Sequence, residues 1–119
     1  MDEDTQKKIN QLQQMEQNMQ QFISQKQQLQ GQLAEVDSAL KELETTDNAY
    51  KIIGNIMVKS GKDQLKKELK QKNETLNLRI KSVEKQENKL KEKSKELQSE
   101  VLTSMKNEKQ EDKSEDSNE

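Results

Sequence analysis

Asn48-Ala49-Tyr50-Lys51-Ile52-Ile53-Gly54-Asn55-Ile56-Met57-Val58-Lys59-Ser60-Gly61 sits at the centre of a 119-residue chain and differs from everything around it. Five strongly apolar residues, Ile52, Ile53, Ile56, Met57 and Val58, fall within a span of seven. Gly54 can supply the positive φ that a tight turn needs, and Asn55 tolerates similar backbone, so the stretch reads as two strands around a two-residue turn. Counting outward from that turn sets Ile53 opposite Ile56, Ile52 opposite Met57, Lys51 opposite Val58 and Tyr50 opposite Lys59. One face then carries Ile53, Ile56 and Val58, and the other carries Ile52, Met57 and Tyr50. A lone two-stranded hairpin is marginal in water and its edges invite further pairing. Packing on the chain's own helices could cover one face only. The remaining face and both edges therefore predict assembly with other chains through Tyr50, Ile52, Ile53, Ile56, Met57 and Val58.

The flanks are helical. With Leu12 at position a of a heptad, the a positions read Leu12, Met19, Lys26, Leu33 and Leu40, and the d positions read Met15, Phe22, Leu29, Val36 and Leu43. Only Lys26 breaks the apolar pattern, and a seam sustained over more than four heptads marks a coiled coil. Beyond the hairpin, Leu69, Leu76, Val83, Leu90 and Leu97 form one row of period seven. The adjoining row is Asn73, Ile80, Glu87, Ser94 and Val101, a weaker seam in which polar members can fix register. Two arms of one period, joined by a short hairpin, pair most simply with each other and antiparallel. The expected fold is mainly α: a long antiparallel two-helix coiled coil, with its first helix over about 5–47, a β-hairpin over 48–61 and a second helix over 62–105. Ser60 suits the N-cap of that second helix, with Asp63 in its first turn. At ~1.5 Å per residue, arms of roughly 40 residues would run on the order of 60 Å. Residues 106–119 hold three lysines, six acidic residues and nothing apolar, which predicts a disordered acidic tail.

Composition supports a rod over a globule. Hydrophobic residues are 27% and charged residues 37%, with a mean hydropathy of -1.35, too little apolar content for an ordinary core. There is no Cys and no His, which removes disulfides, thiolate chemistry and the usual zinc sets. No nucleotide-binding glycine loop occurs, so no catalytic residue, metal site or cofactor is expected and the chain does not read as an enzyme. Nothing resembles a signal peptide and no apolar run nears the ~20 residues that cross a bilayer, so a cytoplasmic location without membrane contact is expected. A net charge of -2 and a pI near 5.4 argue against nucleic acid as a partner. The second arm is lysine-rich, but its lysines are spread around the helix with no aromatics between them, the pattern of a solvated face.

The chain resembles the prefoldin family, in particular the β-class subunit of archaeal type. Helix–hairpin–helix order carries the resemblance, together with the run Tyr50-Lys51-Ile52-Ile53-Gly54-Asn55-Ile56-Met57-Val58-Lys59. So do Ile23-Ser24-Gln25-Lys26-Gln27 with Leu33, and Leu76-Asn77-Leu78-Arg79-Ile80-Lys81 followed by Glu84-Lys85-Gln86-Glu87. The resemblance spans roughly residues 6 to 105. It implies a hetero-hexamer with a prefoldin α subunit, two α and four β, whose hairpins build a β-barrel platform bearing coiled-coil tentacles. It further implies an ATP-independent holdase that captures non-native polypeptides and hands them to a group II chaperonin. A passive coiled-coil scaffold or tether, built as a parallel dimer, is the alternative that the arms alone would allow.

In the folded-back arrangement both arm ends lie together, and surplus apolar residues gather there. Ile9, Leu12, Met15 and Met19 come from the first arm, and Val101, Leu102 and Met105 from the second. Ile9 and Leu102 fall outside the seam rows. Methionine suits contact with varied apolar partners, so these seven residues are the expected client-binding set. Between Ile9 and Ala34 only Glu16 and Lys26 are charged, a near-neutral surface dominated by glutamine.

Overall fold

The computed structural model describes residues 2–117, with side-chain surroundings for residues 2–108. Four elements follow in order: α1 (Glu3–Thr45), β1 (Ala49–Ile53), β2 (Ile56–Ser60) and α2 (Lys62–Ser117). The strands pair antiparallel in the register expected from the turn, from Ile53 with Ile56 outward to Ala49 with Ser60. Gly54 has φ 61°, and no non-glycine residue among those described has positive φ. A positive first turn residue followed by a negative second fits a type II′ turn, so Asn55 need not share the glycine's conformation.

Local chemistry sets the helix ends. Asp2 caps α1: its Oδ1 accepts from the Thr5 amide at 2.8 Å and its carbonyl accepts from the Gln6 amide at 3.1 Å. The helix thus starts at Glu3 rather than about residue 5. At the other end the Thr45 and Thr46 hydroxyls both donate to the Glu42 carbonyl, at 3.3 and 2.7 Å, which uses an otherwise orphaned acceptor. The Glu44 carbonyl accepts from Lys62 Nζ at 3.5 Å. Gly61, and not Ser60, is the N-cap of α2, because its carbonyl accepts the first helical bond from Leu65 at 3.0 Å while Ser60 closes β2. At the C-terminal side α2 continues to Ser117 instead of ending near 105. Residues 106–117 lack proline and glycine and are mostly Lys, Glu, Asp, Asn and Gln, so nothing in them stops a helix already propagating. The last two residues of the expected tail, 118 and 119, lie outside the described residues.

The chain divides into two compact units. The hairpin unit, Ser24–Glu84, contains both strands with the adjoining parts of both helices. Its buried side chains are Val36 and Leu43 from α1, Ala49 from β1, and Leu76, Ile80 and Val83 from α2. Fully burying an aliphatic side chain is worth roughly 1.5–3 kcal/mol, so this short row is the main stabilising feature of the unit. Asn73 Nδ2 donates to Asp37 Oδ1 at 2.6 Å, and Asn73 Oδ1 accepts from Asn77 Nδ2 at 2.9 Å. As the α1 partner moves from Asp37 to Glu44, the α2 partner falls back from Asn73 to Lys62, so the helices run antiparallel here.

The helical unit is formed by α1 through Ile23 and α2 from Lys85. Its pairing runs the same way: the Asp2 amide donates to Glu108 Oε1 at 2.9 Å, and Lys8 Nζ lies 3.4 Å from Glu100 Oε2. Helices of one chain pairing antiparallel exclude the parallel-rod alternative. Thr5, Glu87 and Val101 are buried in this unit, while Leu12, Met15, Met19, Leu90 and Leu97 are half-buried.

Candidate functional site

Two surfaces collect the residues singled out in the sequence. The first is the hairpin. Its pleat alternates side chains between faces, and the register leaves Ile53, Ile56 and Val58 on one and Tyr50, Ile52 and Met57 on the other. All six are exposed, from 43% at Val58 to 69% at Ile52. The hairpin therefore covers neither face against its own helices. Only its base is packed, at buried Ala49 and half-buried Ser60. An exposed ion pair links β1 to α2: Lys51 Nζ donates to Glu68 Oε2 at 2.9 Å. That bond, with a smaller contribution from Gln64, holds the Glu68 carboxyl below its ordinary pKa. Six exposed large apolar side chains on ten strand residues leave an apolar surface on each face of the hairpin, the kind that marks an interface in a stable protein.

The second surface is an open groove of about 630 Å³ in the helical unit. Half-buried Ile9, Leu12, Met15, Met19 and Leu90 form its floor, with Ser94 beside them. Exposed Gln13 and Glu16 border it on α1, and exposed Lys91, Lys95 and Gln98 border it on α2. The four α1 residues expected at the arm end thus share one groove. The three from α2 do not join them there: Val101 is buried, Leu102 is 60% exposed and Met105 is half-buried, and none lines the groove. Leu90 takes their place, a residue that the heptad had assigned to the seam alone. Burial of Thr5 was also missed, although Thr5 lies one heptad before Leu12 and continues the a row.

Among the described residues no group of His, Cys, Asp and Glu could hold a metal ion. No described helix is long and apolar enough to cross a membrane. The chemistry on offer is apolar contact and exposed charge.

Comparison with known proteins decides between architectures that share such features. A sequence model described as "Prefoldin subunit" matches residues 6–114. The chain belongs to the prefoldin family. It is similar to prefoldin subunit beta of Archaeoglobus fulgidus, 40% identical over 82 residues that cover 66% of this chain and 71% of the relative. Prefoldin subunit beta of Pyrococcus furiosus is 39% identical with coverage of 66% and 70%. The crystal structure of the prefoldin beta subunit from Thermococcus strain KS-1 superposes with a TM-score of 0.82 at 38% identity, covering 87% of this chain and 93% of that one. The two long helices and central hairpin are thus those of a prefoldin beta subunit, and the chain is a prefoldin-type chaperone subunit.

Proposed function

We propose that this chain is the β subunit of a cytoplasmic, ATP-independent holdase. In this reading it assembles with a prefoldin α subunit as two α and four β, captures non-native polypeptides in its helical units, and passes them to a group II chaperonin. The observation that carries the reading is the hairpin whose two apolar faces are both uncovered. A shared sheet would satisfy its edges and remove Ile52, Ile53, Ile56 and Met57 from water at once. Joining several chains this way also collects several open grooves in one particle. A groove with a half-buried apolar floor holds a client weakly, and repetition raises the effective affinity without any new contact. Ile9, Leu12, Met15 and Met19 are the contact residues proposed within the groove, with exposed Leu102 and half-buried Met105 as further apolar surface. Val101, being buried, supports the fold instead. No step of this scheme calls on a nucleotide or a metal.

The test is aggregation of a chemically unfolded client, followed by light scattering, with the purified hetero-oligomer and no nucleotide added. Suppression near stoichiometric amounts is expected. Scattering equal to the client-only control would refute the holdase reading.

A further inference from the structure

The groove has unequal sides. On α1, residues 9–20 carry one charge, that of Glu16, among glutamines and apolar residues. On α2, Lys91 and Lys95 stand at the border, both exposed and neither in an ion pair among the described residues. Nearby charges give little compensation. Lys8 and Glu100 are paired with each other at 3.4 Å, and Glu87 is buried. Lys89 and Lys93 add further positive charge against exposed Glu92 and Glu96. Two cations on the α2 border against the single carboxylate of Glu16 on the α1 border leave the groove with a net positive charge that lies on its α2 side.

Spacing sharpens the preference. Lys91 and Lys95 are one helical turn apart, about 6 Å along the axis. In an extended polypeptide, alternate residues point to the same side at intervals of about 7 Å. A client strand lying along the groove with acidic and apolar residues in alternation can put successive carboxylates at Lys91 and Lys95. Its intervening apolar side chains then meet Met15, Met19 and Leu90. A strand with lysines in those positions meets like charge instead. Resting on the client-capture reading of this groove, we propose that it selects among non-native polypeptides by charge, taking extended segments in which apolar residues alternate with Asp or Glu. The ordinary apolar requirement of a holdase does not include this discrimination. The cations come from α2 residues whose sequence context reads as a solvated face.

The test uses three fluorescein-labelled peptides with one common set of apolar residues and Glu, Gln or Lys at the alternate positions, titrated against the full hetero-oligomer by anisotropy. Exposed ion pairs are individually weak, but replacing two attractive contacts by two repulsive ones separates the Glu and Lys peptides by about tenfold at low salt. The gap closes as ionic strength approaches ~1 M, where screening acts within about 3 Å. The double variant Lys91→Gln/Lys95→Gln brings the ratio close to one, whereas Lys89→Gln/Lys93→Gln, altered outside the groove, keeps most of it. Equal binding of all three peptides to the unaltered protein would overturn the charge selection while leaving client capture standing. Failure of all three to bind would overturn both. Discrimination that survives Lys91→Gln/Lys95→Gln would also overturn the assignment.

Discussion

Substituting Ile53 by Asp tests the hairpin as the assembly element, because the single chain and the assembly respond to it so differently. In the single chain Ile53 is 59% exposed and sits opposite Ile56, itself 66% exposed. An exposed substitution of this kind changes monomer stability by about 0.5 kcal/mol or less, and the helices should keep their circular dichroism. In a shared sheet the same side chain is withdrawn from water. Some six-tenths of an isoleucine's burial is then forfeited, about 1–2 kcal/mol per site. The carboxylate that replaces it must also lose water with no cation assigned to it, which costs at least another ~2 kcal/mol. A total of roughly 3 kcal/mol or more per contact corresponds to over 100-fold in association, repeated at each hairpin interface. Sizing chromatography and native mass spectrometry with the partner subunit at micromolar concentration should show free subunits with helicity intact. Elution of Ile53→Asp as the full oligomer would refute the argument. Loss of helicity in the isolated subunit would equally show that Ile53 is needed within the chain, contrary to its exposure.

The two glycines in different backbone conformations should respond oppositely to alanine. Gly31 is in mid-α1 with open space where a Cβ would go, so Gly31→Ala should stabilise the chain by about 0.5–1 kcal/mol in urea unfolding. Gly54 has equally open surroundings but φ +61°, so Gly54→Ala should destabilise the hairpin by about 1–2 kcal/mol and weaken assembly. Acid should loosen the hairpin's hold on α2: Glu68 has a depressed pKa, so its contribution is full above the unfolded value near 4.5 and fades as pH falls through the lower folded value. Thermal unfolding of Glu68→Gln should therefore differ from the unaltered protein at neutral pH and converge with it well below pH 4.5.

The hairpin was legible to the residue because two local rules agree there. A glycine that can take positive φ marks the turn, and a period of two then fixes every cross-strand pair from Ile53–Ile56 to Ala49–Ser60. The seams were legible through their period, and the period proved a better guide to burial than chemistry. Thr5 and Glu87 are buried because they occupy the seven-residue rows, whereas Leu78 and Leu102, apolar but off the rows, are 68% and 60% exposed. Helix ends were less readable. Ser60 and Gly61 are both acceptable N-caps, and only the strand's claim on Ser60 settles which one serves. The C-terminal extension of α2 was not legible because acidic, apolar-free composition fits a disordered tail as well as it fits a polar helix.

The groove was half legible, for a reason that bears on what it can do. Apolar residues at the arm end were countable, but their division between seam and surface depends on how completely the two helices close. In the hairpin unit Val36, Leu43, Leu76, Ile80 and Val83 are buried, with Leu29, Leu33, Leu40 and Leu69 half-buried on the same rows. In the helical unit the same rows leave Leu12, Met15, Met19 and Leu90 half-covered. Methionine at two of those four positions matters here, because its unbranched side chain can pack against the opposite helix or turn outward at small cost. Complete closure would have used these residues for stability and left nothing for a partner. Incomplete closure lowers the local cost of opening and leaves apolar surface that adapts to different sequences. On the proposed client-capture reading, polar residues in the α2 row, Ser94 among them, belong to the working surface: an aliphatic side chain there would seal the floor that Met15, Met19 and Leu90 now share.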